Sequence, residues 1–298
     1  MTTTAQVARI ALKNILFPTD FSPASDAALP FAVALAKIYG STILMAHALP
    51  REPMLQVVPD RVPAQDDQDW QQAREKLAEY TRNLALGDIP CKALLDRGDL
   101  SDVIPAMIEE NGADLVVLGT HGRRGVSKLV LGSDAERIYR SAQCPVLTIG
   151  PKAKAGAEWK PRRILCPVEN TPHDSGRDPE PALHYGLSLA EENEAQFIVL
   201  QAVPLVPWQH RHQVSEQTQE ALQRLLPPEA SNWCIPDYVV RWEHPVEAIL
   251  RTAVEREVDL IVMGVRRAQA AGLSAHLPWP IASEVVSKAH CPVLTVRV

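Results

Sequence analysis

Asn14-Ile-Leu-Phe-Pro-Thr-Asp20 returns 149 residues later as Arg163-Ile-Leu-Cys-Pro-Val-Glu169. Ala113-Asp-Leu-Val-Val-Leu-Gly119 returns as Val258-Asp-Leu-Ile-Val-Met-Gly264, at an offset of 145. Cys144-Pro-Val-Leu-Thr148 returns unchanged as Cys291-Pro-Val-Leu-Thr295, at an offset of 147. Three matches in one order at nearly one spacing imply duplication of a whole domain. The unit is far longer than the roughly 20–50 residues of a solenoid repeat. The stretch from Pro151 to Pro161 is small and polar, as a short linker should be. The expected domains are therefore residues 1–151 and 160–298.

Each half alternates short apolar runs with amphipathic segments. In the first half the runs are Ile15 to Pro18, Thr42 to Ala48, Cys91 to Leu95, Leu115 to Leu118 and Val146 to Ile149. Helix patterns lie between them. The first is capped by Ser25 or Asp26, carries Pro30 in its first turn and ends at Gly40. The longest, Gln65 to Leu86, is charged and amphipathic. The second half repeats the order, with helices near Pro181–Asn193, Val214–Leu226, Val246–Glu257 and Ala282–Ala289. Continuously apolar strands separated by helices imply a parallel sheet covered on both faces. The fold expected is a three-layer α/β domain, made twice. In such sheets ligands bind at the carboxyl ends of the strands, beside a switch in strand order.

Composition narrows the function. Apolar residues make up 46% of the chain and charged residues 22%, with a net charge of −6. An acidic chain lacks the basic stripe that nucleic-acid phosphates require. No apolar run approaches the roughly 20 residues of a membrane span. Met1 to Leu12 lacks the apolar core and cleavage site of a signal peptide. The five cysteines are an odd number and show no CxxC pair, which fits free thiols in a reducing cytoplasm.

Two turns carry the candidate chemistry. Pro18-Thr19-Asp20 follows the first strand; there a carboxylate either meets a base or ribose hydroxyls or caps the next helix. Gly119-Thr-His-Gly122-Arg-Arg follows the fourth strand and runs on to Gly132-Ser133 at a helix start. Glycines let backbone N–H groups approach phosphate oxygens, and a helix N-terminus adds partial positive charge. Arg123, Arg124 and Lys128 add charge to this loop, or are solvated. It contains neither a Walker loop nor GxGxxG.

The string Gly119-x2-Gly122-x9-Gly132-Ser133 resembles the G-2x-G-9x-G-[S/T] signature of ATP-binding universal stress proteins. Phe17-Pro-Thr-Asp-Phe-Ser22 and Pro145-Val-Leu are similar to that family's first and last strands. The resemblance spans nearly the whole chain, twice. It implies five-stranded parallel sheets of order 3-2-1-4-5, of the adenine nucleotide alpha hydrolase-like type, and ATP, or ADP or AMP, bound in the first domain with Mg²⁺. Pro18, Thr19 and Asp20 would then line the adenine and ribose region. Ala48 would back the base, and Leu118 and Gly119 would lie against the nucleoside. His121, Gly122, Arg123, Gly132, Ser133 and Asp134 would surround the phosphates. The family also implies paired domains, met here by an intramolecular pseudo-dimer or a homodimer.

The second domain departs from this pattern. Glu169 replaces Asp20, Arg267 stands where the second glycine belongs, and Leu277-Pro278-Trp279-Pro280 replaces the Gly-Ser pair. Proline lacks the N–H a phosphate needs, so no ATP is expected there. His210-Arg-His212 reads as a surface loop, His47 as a hydrogen-bonded structural histidine, and Cys144 and Cys291 as buried inert thiols. No general base is arranged for efficient phosphoryl transfer. The expectation is a cytoplasmic nucleotide-binding stress or signalling module with weak hydrolysis at most. The alternatives are a true ATPase or ATP-dependent transferase and a nucleotide-free interaction protein.

Overall fold

The computed structural model describes residues 10–50, 63–83, 87–120, 133–154, 159–169, 181–203, 208–232, 234, 236–265 and 279–297. One compact unit is drawn from the described residues between 11 and 146. The other is drawn from Ile10 and those between 147 and 297.

The first repeat contains β1 (Asn14–Pro18), α1 (Pro23–Tyr39), β2 (Thr42–Leu49), α2 (Pro63–Asn83), β3 (Cys91–Arg97), α3 (Leu100–Asn111), β4 (Leu115–Gly119), α4 (Ser133–Ser141) and β5 (Val146–Ile149). The second contains β6 (Arg163–Pro167), α5 (Pro181–Asn193), β7 (Gln196–Ala202), α6 (Trp208–Leu225), a 3₁₀ turn (Pro228–Asn232), β8 (Asp237–Arg241), α7 (Pro245–Glu255), β9 (Leu260–Val265), α8 (Trp279–Lys288) and β10 (Val293–Arg297). Strand order is β3-β2-β1-β4-β5 in the first repeat and β8-β7-β6-β9-β10 in the second. Every pair with a described register is parallel. In both repeats the chain winds outward from the first strand, then returns to its other side. That reversal puts the switch point between β1 and β4, and between β6 and β9.

The central strands are apolar because helices cover both their faces. Ile15, Leu16 and Phe17 of β1 are fully buried, as are Ile164, Leu165 and Cys166 of β6. The repeated Asp-Leu motif has a structural reason. Asp114 Oδ2 accepts the backbone N–H groups of Lys13 at 2.7 Å and Asn14 at 2.9 Å. Asp259 Oδ2 does the same for Arg162 at 3.1 Å and Arg163 at 3.0 Å. Each carboxylate fixes the entry of its repeat's first strand beside the fourth.

Three sequence expectations change. Helix α1 starts at Pro23, and Ser22 is its N-cap, accepting from Ser25 N at 3.4 Å. A Ser-Pro pair at N-cap and N1 outcompetes Ser25 and Asp26. Pro30 therefore lies inside the helix, where it has no N–H to donate to the carbonyl four residues back. Helix α6 starts at Trp208, so His210-Arg211-His212 is helical, not a loop. The carboxylate four residues on, Glu216, stands 3.4 Å from His212 Nδ1. Cys144 is half-buried, whereas Cys291 and Cys166 are buried. Gly40 ends α1 in the left-handed conformation, φ 66°, as its lack of a Cβ permits. Trp233, Arg267 and Pro278 lie outside the described residues.

Candidate nucleotide-binding edge of the first repeat

The carboxyl ends of β2, β1 and β4 lie side by side in this order. Pro18 closes β1, opposite Ala46 of β2. Thr19 extends the pairing by donating its N–H to the Ala46 carbonyl at 2.8 Å. Thr19 is buried and Asp20 half-buried. Ala48 is half-buried near the end of β2, opposite Asp96 of β3. Leu118 is buried and Gly119 half-buried at the end of β4. Asp134 is exposed in the first turn of α4, whose first residue is Ser133. The structure thus gathers Pro18, Thr19, Asp20, Ala48, Leu118 and Gly119 at one edge. His121, Gly122, Arg123 and Gly132 lie outside the described residues.

The turn after β1 is tightly held. Asp20 Oδ1 accepts from Ser22 N at 3.0 Å and from the Ser25 hydroxyl at 3.3 Å. Thr19 Oγ1 accepts from Phe21 N at 3.0 Å. His47 Nδ1 lies 2.7 Å from the Thr19 carbonyl. A carbonyl only accepts, so this ring nitrogen carries the proton. The expected structural histidine is therefore a strut under the turn. Of the two jobs between which the sequence left a choice, the geometry shows the second: Asp20 organises the start of α1 through Ser22 N and the Ser25 hydroxyl.

Gly119 is a glycine for a packing reason that the sequence did not show. A Cβ there would stand 2.3 Å from the backbone oxygen of Ala24 in α1. Only a bare Cα lets β4 approach the start of α1 this closely.

Sequence reasoning missed one part of this edge. Phe21 has φ 59°, a left-handed backbone that is uncommon for an aromatic residue. Its ring meets His47 at 4.7 Å and Tyr80 of α2 at 5.2 Å, the latter edge-on. Lys76 Nζ sits 4.4 Å above the ring centroid. The Tyr80 hydroxyl donates to Asp26 Oδ1. Burial, then the Asp26 bond and the Asp26 and Asp20 charges, push this phenol well above its usual range, partly offset by Thr19. Lys76 and Tyr80 are four apart and share one helix face. That spacing was visible, but nothing in the sequence says which face meets the β1 turn.

A doubly wound α/β unit made twice, with carboxylate and glycine at a strand-order switch, defines the class: a tandem α/β protein of two parallel-sheet repeats. The chain belongs to the universal stress protein family, whose model matches residues 11–150 and again 161–297. A universal stress protein of Thermus aquaticus is 34% identical over 140 residues, covering 46% of this chain and 98% of its own length. Universal stress protein MJ0531 of Methanocaldococcus jannaschii is 27% identical over 143 residues, covering 46% of this chain and 81% of its own. Among solved structures, a universal stress protein from Archaeoglobus fulgidus superposes with a TM-score of 0.70 at 17% identity, covering 95% of this chain and 98% of that one. At that identity the likeness shows the fold alone. Among the described residues no helix is long and apolar enough to cross a membrane.

Proposed function

We propose that the chain is a nucleotide-responsive stress or signalling module of the cytoplasm whose first repeat binds ATP, or its di- or monophosphate. The observation that carries the reading is the Asp20 carboxylate. It is held by Ser22 N and the Ser25 hydroxyl at the end of β1, next to the glycine that ends β4. This is the switch-point geometry that adenine nucleotides use in open parallel sheets. Pro18, Thr19 and Ala48 flank the base and ribose in this reading, with Leu118 and Gly119 against the nucleoside. Helix α4 begins Ser133-Asp134, which puts backbone N–H donors and the Asp134 carboxylate at one helix start. The donors suit phosphate oxygens. The Asp134 carboxylate would hold a Mg²⁺ ion, which would offset its repulsion of phosphate. His121, Gly122, Arg123 and Gly132 complete the cradle in this proposal.

The second repeat is proposed to have lost the ligand. Helix α8 begins Trp279-Pro280 where α4 begins Ser133-Asp134. Proline removes one of the N–H donors that a phosphate meets at a helix start. Bound nucleotide acts as a ligand that shifts conformation or partner affinity, with turnover slow at most. Calorimetric titration of Asp20→Ala with Mg-ATP tests this. The reading expects affinity to fall about tenfold or more, the loss of a charge-assisted hydrogen bond. Unchanged affinity in a folded variant rejects Asp20 as a ligand residue. Rapid ATP turnover by the wild type, lost in Ser133→Ala, favours the ATPase reading instead.

A further inference from the structure

Helix α2 is joined to the β1–α1 turn by two side chains on one of its faces. Lys76 covers one side of the Phe21 ring, Tyr80 meets the ring edge-on, and the Tyr80 hydroxyl closes on Asp26 of α1. His47 from β2 holds the remaining flank of Phe21 at 4.7 Å. A left-handed backbone at an aromatic residue is strained alone and persists where its surroundings over-determine it. Here they are these ring contacts and the Thr19 hydroxyl that accepts the Phe21 N–H.

The strained residue has a consequence for its neighbour. With Phe21 at φ 59°, the chain doubles back so that Ser22 N and the Ser25 hydroxyl both reach Asp20 Oδ1. An extended or right-handed Phe21 would carry Ser22 away and release the carboxylate. The direction of Asp20 thus depends on the backbone of Phe21, and that backbone depends on α2.

We propose that Tyr80 is a positioning residue of the nucleotide site: it clamps Phe21 in the left-handed conformation and thereby aims Asp20 at the nucleoside half of the ligand. The inference rests on the nucleotide reading above. It assigns α2 a part in base and ribose recognition and none in phosphate binding. Burial and the Asp26 bond keep the phenol protonated and a donor at neutral pH.

The test uses the full chain, the variants Tyr80→Phe and Tyr80→Ala, and two probes, adenosine and inorganic tripolyphosphate with Mg²⁺. The expected result is adenosine affinity weakened about tenfold in Tyr80→Ala and about threefold in Tyr80→Phe, with tripolyphosphate affinity within about twofold of wild type. Amide exchange at Phe21 and Ser22, measured without ligand, accelerates in Tyr80→Ala while β1 and β2 stay protected. A merely structural role for Tyr80 would move both probes together or neither, and either result overturns the proposal. If the wild type binds neither probe, the nucleotide reading fails by itself. Amide exchange then decides the clamp, and unchanged rates at Phe21 and Ser22 overturn it. If Tyr80→Ala does not fold, Tyr80→Phe carries both readouts.

Discussion

The Nδ1–H of His47 donates to the carbonyl of Thr19 at 2.7 Å, tying β2 to the turn that leaves β1. The bond crosses from one strand end to its neighbour and supports the residue just before Asp20. It also packs the imidazole against Phe21.

Replacing His47 with Ala leaves the carbonyl of buried Thr19 without this donor and removes one wall of Phe21. The expected cost is about 1–3 kcal/mol. It appears as a lower denaturation midpoint in urea with weakened nucleotide binding. His47→Asn, which retains a donor on a shorter side chain, should recover part of both. Equal stability in His47→Ala and wild type would contradict the strut.

Gly119→Ala drives a Cβ into the Ala24 carbonyl, a contact of 2.3 Å between parts that cannot rotate away. Overpacking of this kind costs about 1–3 kcal/mol. Thermal unfolding should show a clear drop in the midpoint, and the loss should appear without any nucleotide present. A variant as stable as wild type, impaired only in binding, would mean that Gly119 serves the ligand and not the packing.

Much of this architecture was legible in the sequence. The duplicated Asp-Leu-[VI]-Val segments located β4 and β9, because strands buried on both faces read as unbroken apolar runs. Gly40 marked the end of α1, since the left-handed cap needs no Cβ there. What failed to show was nonlocal or finely balanced. The start of α1 moved to Pro23 because Ser22 and Pro23 form a better cap pair than Ser25 alone, a difference of about 1 kcal/mol between neighbours. His210-Arg211-His212 joined α6 because an amphipathic helix absorbs short polar stretches that look like loops in isolation. Tyr80 stayed hidden because its partners, Phe21 and Asp26, are 59 and 54 residues away in the chain. The two bonds that fix Asp20 Oδ1 were not visible either.

The Cys291 thiol is pushed from its usual 9.0 up to about 12, chiefly by burial and then by the nearby Asp259 carboxylate. A raised pKa makes stability complete below pH 9, where both states are protonated. Stability then falls between pH 9 and about 12, as the unfolded thiol ionises first. Urea titrations across that range should lose stability more steeply for wild type than for Cys291→Ala. At pH 8 a thiol reagent should leave Cys291 unmodified in the native protein and label it after denaturation. Rapid native labelling would contradict its burial.

The most direct test of the central claim is calorimetric titration of nucleotide-free protein with Mg-ATP, read for sites per chain. The account predicts one site per chain, abolished by Gly132→Trp in the first repeat and unaffected by Pro280→Ala in the second. Two sites per chain would mean that Arg267 and Pro280 do not close the second repeat to nucleotide. No binding by folded protein would contradict the nucleotide reading altogether and leave a module that acts through protein contacts.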